Sequence, residues 1–349
     1  MKEQMKIAVY GAGAMGTVLG GFLSDCGLDA EVDLVSRNRE HIRAMKEKGA
    51  RILCAATGDT YTKQVNALLP EEMTEQYDVI FLMTKQKDNA RTAGFLKNFL
   101  KADGALVSAQ NGLPEELLAE IVGEDRVYGA VCAWGANLVG DGTAELTSDP
   151  SAMTMEIGSW SGRCGKLKEI RKILSAVGEV TGNPAFVTVT ENLAGARWSK
   201  LAINAAFSGL SVVTGLTFGE IAKGRKSRAL ALGILRECFA VASELGVKLE
   251  KIQGHDMEKL LGAPGFFGTQ KALFLLPIAM RRHKLLVSGM LRDLEKGKRC
   301  EIDYIDGAVS RLGDKCSVDT PLCDKVVETV HGIENGLCEI SPKNLDFFS

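Results

Sequence analysis

Residues 6–16 read KIAVYGAGAMG, and the rest of the chain is organised around them. Lys6–Tyr10 is a short apolar run of the kind that forms a strand. Gly11, Gly13 and Gly16 follow as G-x-G-x-x-G, with Ala12, Ala14 and Met15 between them, and MGTVLGGFLSDCG continues as a helix expected to end at Gly27. Each glycine answers a separate steric demand. Gly11 allows the tight turn, Gly13 lets backbone approach a pyrophosphate, and Gly16 lets helix and strand pack closely. The helix N-terminus then offers N–H groups and the positive end of its dipole to phosphate. A bare G-x-G-x-x-G is a weak signal that a ligand-free glycine turn also matches. Its place between a strand and a helix makes it specific.

Outward from this turn, EVDLVSR reads as a strand and NREHIRAMKEKG as a helix ending at Gly49. RILCAA and TKQVNALL read as a strand pair, YDVIFLMT as a fully apolar strand, NARTAGFLKNFLKADG as a helix and ALVSAQNG as a strand. PEELLAEIVG is helical, with Pro114 at its start and Gly123 at its end. VYGAVCAW, AELTSD, AMTMEIG and AFVTVTEN continue as strands around the helix KLKEIRKILSAVG. Continuous apolar strands alternating with helices imply a parallel sheet covered on both faces, an α/β doubly wound (Rossmann-type) domain. From about Asn192 the period becomes helical throughout, so residues 1–191 are expected to bind the dinucleotide and residues 192–349 to form an all-helical substrate and catalytic domain. A length of 349 residues agrees with two domains. Gln253–Gly268, rich in Gly and Pro, reads as a loop or lid, and ISPKNLDFFS as a loose tail in which Phe347 and Phe348 could dock.

Composition narrows the function. Hydrophobic residues make up 46% and charged residues 25%, as in an ordinary soluble protein. A net charge of -2 provides no basic field for nucleic acid or an acidic membrane. Nine cysteines, with no C-x-x-C pair, suggest reduced thiols in a cytoplasmic protein. His41, His255, His283 and His331 are too far apart for metal-ligand spacing, so no metal is expected. The start MKEQMKIAVYG lacks the apolar core of a signal peptide, and the run LFLLPIAM is too short to span a bilayer. The expected partner is a small molecule. A helical second half often supports a homodimer, although no patch for one is legible.

The second strand's end chooses the dinucleotide. An NAD enzyme usually carries Asp or Glu there for the ribose hydroxyls. Here Ser36 and Arg37 occupy the position, and a hydroxyl beside a guanidinium suits a 2′-phosphate, hence NADP(H). Arg39 is a weaker second candidate, and a solvated loop arginine is the competing interpretation. Two other strand ends carry Lys85 and Asn111, where open α/β sheets bind ligands. Lysine after a strand and an Asn-Gly turn are also common without function. In WSKLAINAAFS, Lys200, Asn204 and Ser208 recur every four residues and share one helix face among apolar neighbours. Such a stripe either lines a cleft or is a partly wet face of a bundle helix. A positioned ammonium at Lys200 suits ketone reduction, because it stabilises charge on the carbonyl oxygen and donates the proton. Glu301 stands at a helix start, where a carboxylate is favourable in any case; Asp303 and Asp306 compete with it.

Together these residues resemble the ketopantoate reductase family. The resemblance rests on GAGAMG, Thr84-Lys85, Gln110-Asn111-Gly112, W-x-K-L-A-x-N at Trp198–Asn204, and S-x-M-L-x-D-L…E-I-D-Y-I-D-G at Ser288–Gly307. It covers nearly the whole chain, and its C-terminal motifs are family-specific. It implies NADPH-dependent reduction of a 2-keto acid, 2-dehydropantoate to pantoate, in pantothenate biosynthesis. Lys200 would be the proton donor, Asn111 and Glu301 would act around the nicotinamide ribose and active site, and Lys85 and Ala136 would lie by the cofactor. Asn204, Ser208 and Ser288 would bind substrate. The chain departs from the pantoate-forming pattern at Ser208, Phe218 and Gly289, where polar contacts are shortened or lost. Because a site that hydrogen-bonds a hydroxyl discriminates strongly, these changes leave a different, more apolar 2-keto acid open. A 3-hydroxyacid or polyol-phosphate dehydrogenase and a non-catalytic NADPH sensor share the two-domain build and compete with this reading. The dehydrogenase should carry extra arginines by the pocket, and the sensor should have lost Lys200, Asn204 and Glu301.

Overall fold

A computed structural model describes residues 4–252 and 254–348; Gln253, first residue of the expected lid, and Ser349, last of the tail, lie outside the described residues. The chain divides into two compact units. One runs to Gln110 and from Pro114 to Leu193, and the other takes Asn111–Leu113 and the residues from Ala194.

The first unit begins with β1 (Met5–Tyr10), α1 (Ala14–Leu23), β2 (Ala30–Val35), α2 (Arg39–Lys48), β3 (Ala50–Cys54), β4 (Thr60–Lys63) and β5 (Asn66–Leu68). It continues through β6 (Tyr77–Leu82), α3 (Asn89–Leu96), β7 (Leu100–Ser108), α4 (Glu115–Val122), β8 (Val127–Cys132), β9 (Ala136–Gly140), β10 (Thr143–Leu146), β11 (Met155–Ser159), α5 (Leu167–Val180) and β12 (Val187–Val189). The main sheet has the order β12-β11-β8-β7-β6-β1-β2-β5, and a smaller sheet runs β4-β3-β10-β9. Alternation along the strands builds two cores. Ile7, Val9, Val79, Phe81, Ala105 and Val107 pack with Val18, Leu19 and Phe22 of α1 and Ile170, Ile173 and Val177 of α5. Ala8, Tyr10, Ile80, Leu82 and Leu106 face the other way, onto Ala93 and Leu96 of α3 and Leu118 and Val122 of α4.

The α/β architecture is as expected, with local corrections. β8 and β11 pair antiparallel, so the sheet is mixed rather than wholly parallel. TKQVNALL serves two sheets: Thr60–Lys63 pairs with β3, while Asn66–Leu68 extends the main sheet beside β2. α1 stops at Leu23, short of Gly27, and β7 begins at Leu100, inside the stretch read as helix. β9 was not anticipated.

The second unit is helical, as expected. α6 (Leu193–Ile203) runs into a π turn (Asn204–Gly209) and on into α7 (Leu210–Thr214), which ends at left-handed Gly215. α8 (Phe218–Lys223) starts on a capping box in which Thr217 accepts from the N–H of Glu220 and the Glu220 carboxylate accepts from Thr217. α9 (Arg225–Glu244) is the long central helix, followed by α10 (Met257–Leu261), α11 (Gly265–Ala279), α12 (Gly289–Glu295), α13 (Asp306–Cys316) and α14 (Pro321–Glu334). Trp198, Leu201, Phe207, Ile234, Leu235 and Val326 are among the residues of its core. The expected lid is largely helical, made of α10 and the start of α11. Arg236 fixes it from α9 by donating to the carbonyls of Leu261 (3.3 Å) and Ala263 (2.7 Å) and to Thr269 Oγ1 (3.0 Å). The tail is not loose. Residues Pro342–Phe348 form a 3-10 segment, and the buried Asn344 amide donates to the carbonyls of Val213 (2.9 Å) and Glu339 (2.8 Å). Phe348 packs on the core, whereas Phe347 stays exposed. No helix among the described residues is long and apolar enough to cross a membrane. All nine cysteines are free thiols.

Candidate active site

In the first unit the site is laid out by strand order. β1 pairs in parallel with β2 on one side and β6 on the other, so Tyr10, Val35 and Leu82 end level, and β7 ends level with them at Ser108. The chain leaves β1 in one direction for β2 and later returns on the other side for β6. That reversal creates a crevice at the strands' carboxyl ends. The glycine turn sits in it. Gly11 and Ala12 N–H groups both donate to the Val35 carbonyl at 2.9 Å, and Gly13 N–H donates to the Gly11 carbonyl at 2.7 Å. Gly11 has φ +104°, and a Cβ there would lie 2.6 Å from the Thr84 nitrogen. At Gly16 a Cβ would strike the Gly11 carbonyl. Both glycines are therefore required by the protein's own packing.

Gly13 is different. Its φ of -87° is ordinary but its ψ of -146° lies outside the extended and helical regions, so its backbone favours glycine, while a Cβ would meet only the Gly11 carbonyl, at 4.0 Å. No other protein atom lies within 4 Å of that position, so the backbone there is open to approach. α1 also starts without a side-chain cap and without an acidic residue in its first turn, so its terminal N–H groups and dipole face that space. These features fit a pyrophosphate.

At the end of β2, Ser36 is half-buried and Arg37 exposed. Arg37 Nη1 lies 3.3 Å from Asp88 Oδ2, and Arg91 approaches the same carboxylate at 3.8 Å. Two guanidiniums thus converge on one acid beyond the end of β2. Arg39, the weaker candidate, is paired with Glu71 instead.

Lys85 follows β6, half-buried, at the head of a 3-10 turn. The backbone just before it, at Thr84, is held by a buried amide pair. Gln110 Nε2 donates to Asn89 Oδ1 at 2.7 Å, and Asn89 Nδ2 donates back to Gln110 Oε1 at 3.1 Å. Gln110 Nε2 also donates to the Thr84 carbonyl at 2.8 Å, and Ser108 Oγ donates to Gln110 Oε1 at 3.1 Å. The ends of β6 and β7 are locked together. Ala136, half-buried, begins β9 opposite Leu146 in the small sheet.

In the helical unit, Lys200, Asn204 and Ser208 are each half-buried, while Leu201, Ala202, Ala205, Ala206 and Phe207 between them are buried. The expected stripe exists, but not on a plain α-helix. A four-residue step overshoots an α turn by about 40°. From Asn204 the wider π turn falls short of one, which offsets the drift. Beneath the turn, Asp306 is wholly buried, with neither carboxyl oxygen hydrogen-bonded. A Cβ on Gly209 would lie 2.8 Å from one of them, so only glycine fits. Burial pushes the Asp306 carboxyl well above its usual range, helped by the charge of Glu237. Ser288 is buried and its Oγ accepts from the Met290 N–H (3.2 Å), capping α12. Glu301 is half-buried and heads a 3-10 turn before α13, rather than opening the α-helix itself. Phe218 stacks at 5.6 Å on Phe207, and a Cβ on Gly289 would meet no atom within 4 Å. Asn111 is exposed and belongs, with Gly112 and Leu113, to this helical unit.

Sequence reasoning missed Arg91 and Asn89, weighed Asp306 only as a competitor of Glu301, and did not foresee a buried histidine. His41 Nδ1 accepts from the Gly142 N–H at 2.9 Å, so Nε2 carries the proton and donates to Thr17 Oγ1, also at 2.9 Å. It clamps α1, α2 and the β9–β10 turn, and burial pushes its pKa down. Among the described residues no group of three or more His, Cys, Asp or Glu could hold a metal ion.

Residues 7–162 match the family model described as Ketopantoate reductase PanE/ApbA, and residues 192–334 match its C-terminal counterpart. A 2-dehydropantoate 2-reductase of Lactococcus lactis is 28% identical over 334 residues, 95% of this chain and 98% of that protein. Among solved structures, D-mandelate dehydrogenase with NADH and anilino(oxo)acetate has a TM-score of 0.79 at 26% identity, covering 95% of this chain and 99% of that one. A PanE/ApbA family ketopantoate reductase from Ralstonia eutropha has a TM-score of 0.78 at 26% identity, with the same coverage.

Proposed function

Because the chain belongs to the ketopantoate reductase family, oxidoreductases acting on CH–OH groups, we propose that it is an NADPH-dependent 2-keto acid reductase whose first candidate substrate is 2-dehydropantoate, reduced to pantoate. NADPH, when bound, supplies the hydride to the keto carbon. The glycine turn Gly11–Gly16 and the uncapped start of α1 hold the pyrophosphate. Gly13 supports this most directly, since the open space beside it leaves backbone free to meet a ligand. Ser36 and Arg37 bind the 2′-phosphate, Arg37 exchanging the Asp88 carboxylate for it. Lys85, Asn111, Ala136 and Glu301 border the cofactor. Lys200 donates a proton to the substrate's carbonyl oxygen and stabilises the charge that grows there. Asn204, Ser208 and Ser288 orient the substrate. Residues 1–191 thus serve the cofactor, and residues 192–349 the substrate. Fitted to 2-dehydropantoate, the chain would act in pantothenate biosynthesis.

A second reading, a reductase of a more apolar 2-keto acid, has support in two places. Phe218 joins an aromatic pair, and Gly289 leaves open space, where the pantoate-forming pattern is polar. The D-mandelate dehydrogenase similarity points the same way. Both readings are tested by following NADPH oxidation with a panel of 2-keto acids, 2-dehydropantoate and aromatic ones included. Lys200→Ala is expected to retain NADPH binding and lose about a hundredfold or more in turnover. Undiminished turnover would remove Lys200 from the mechanism, and no oxidation with any keto acid would overturn the reductase reading.

A further inference from the structure

Three charged side chains stand together beyond the carboxyl end of β1. Phe95 of α3 packs on Tyr10, the last residue of β1, with ring centroids 6.1 Å apart. Arg91 lies four residues earlier, one turn nearer the helix start and on the same face. Burial pushes the Tyr10 hydroxyl above its usual pKa, and the charges of Arg37, Arg91 and Asp88 all reach it. Asp88 stands at the N-cap of α3, where a carboxylate normally accepts from its own helix, yet it makes no such bond. Its Oδ2 instead meets Arg37 Nη1 at 3.3 Å and Arg91 Nη2 at 3.8 Å. Both contacts exceed the length of about 2.7–2.9 Å that a good charge-assisted bond takes. Two positive charges thus share a single oxygen atom. Arg91 is also placed against its own helix, since a cation in a first turn meets the positive end of the dipole.

We propose that Arg91 is a second guanidinium for the 2′-phosphate of NADPH and a determinant of the preference for it; the inference rests on the NADPH reading above. A phosphate monoester carries about -1.5 to -2 charges near neutral pH and has three terminal oxygens. It can give each arginine its own oxygens at full hydrogen-bonding distance, where Asp88 has one oxygen for both. Two guanidiniums against such a phosphate also come near to balance, whereas Asp88 alone leaves one positive charge over. Asp88 is then the counter-ion that the phosphate displaces. It holds both arginines near their working positions while the cofactor is away, and it opposes phosphate by like charge when the cofactor arrives. The base is rigid. Asn89, next in the chain to Asp88 and two residues before Arg91, is buried and bonded to the Gln110 amide in both directions. NADH has a hydroxyl in place of the phosphate and leaves the Arg37, Asp88 and Arg91 group as it is. Arg91 and Asp88 therefore act on the difference between the two dinucleotides, not on dinucleotide binding as such.

Titration of the full chain with NADPH and with NADH, followed by nicotinamide fluorescence and with no keto acid present, tests it. Arg91→Ala should weaken NADPH binding about tenfold and NADH binding less than about twofold. It should also flatten the fall of NADPH affinity with rising salt. Asp88→Asn should strengthen NADPH binding about threefold or more, because the competing charge is gone. Arg39→Ala, whose guanidinium is paired with Glu71, should change neither. Arg91 and Arg39 are both exposed, so these variants should melt as the parent does. An Arg91→Ala protein that keeps its NADPH affinity, while Arg37→Ala loses it, overturns the inference and leaves the NADPH reading standing. Equal affinity of the parent for NADPH and NADH overturns both. Weaker NADPH binding in Asp88→Asn would make the acid a support for the arginines rather than their displaced counter-ion, and overturns the exchange.

Discussion

Replacing Asp306 by Asn should remove a pH dependence of stability. Asp306 opens α13 with no exposed surface and no hydrogen bond to its carboxyl, packed against Gly209 of the π turn. Burial raises its pKa well above the ordinary value, and the neighbouring Glu237 adds to the shift. The folded chain therefore keeps a proton that the unfolded chain loses near pH 4. Where the native state binds more protons, stability falls as pH rises. For one proton the slope is about 1.4 kcal/mol per pH unit, from the unfolded pKa up to the folded one. Each pH unit inside that window is a sizeable share of an ordinary stability of about 5–15 kcal/mol. Asn has the same shape and cannot ionise. Urea unfolding of the two proteins at intervals between about pH 5 and pH 8 isolates the effect, since Glu237, also raised by burial, titrates in both. The variant should gain on the parent steadily as pH rises. Parallel curves, with a constant difference at every pH, would mean that Asp306 titrates as it does in the unfolded chain, and would refute the reasoning.

Two further outcomes follow from the glycine turn and the end of β2. Gly13→Ala should weaken dinucleotide binding in a titration and cost the ligand-free protein less than Gly11→Ala, which should destabilise it by about 2–4 kcal/mol in urea unfolding, because its Cβ meets the Thr84 backbone and its φ is positive. Arg37→Ala should raise KM for NADPH about tenfold or more and change KM for NADH little. Equal losses for the two cofactors would take the 2′-phosphate away from Arg37.

Much of this was legible in the chain itself. Glycine spacing after β1 and the run of apolar strands announce the α/β unit because backbone approach and two-sided burial restrict residue type. The Lys200–Asn204–Ser208 stripe was legible because four-residue spacing survives the π turn. What escaped lies in relations that period alone cannot carry. Strand direction leaves no mark on alternation, so the antiparallel β8–β11 pair looked like its neighbours. Gln110 and Asn89 lie 21 residues apart, and only the fold makes one amide the partner of the other. Gly265 and Pro264 suggested a lid, yet they stand at the entry to α11, where a positive φ and a proline are both tolerated. Asp306 looked like one more helix-start carboxylate, because nothing in EIDYIDG marks which acid is buried.

The π turn fixes length as well as composition. A helix that holds its backbone in i→i+5 bonds over Asn204–Gly209 carries slack that an ordinary α-helix of the same path would not need. Tightening those six residues into the regular repeat at unchanged length would swing everything after them by about 100°. Leu210, Val212 and Val213, all wholly buried, would then face away from the neighbours they now touch. Residue count and turn width are therefore tied in this stretch: relatives of this chain should either keep all six residues in a wide turn or lack one and run as plain α-helix, since five residues of the regular repeat turn about as far as these six.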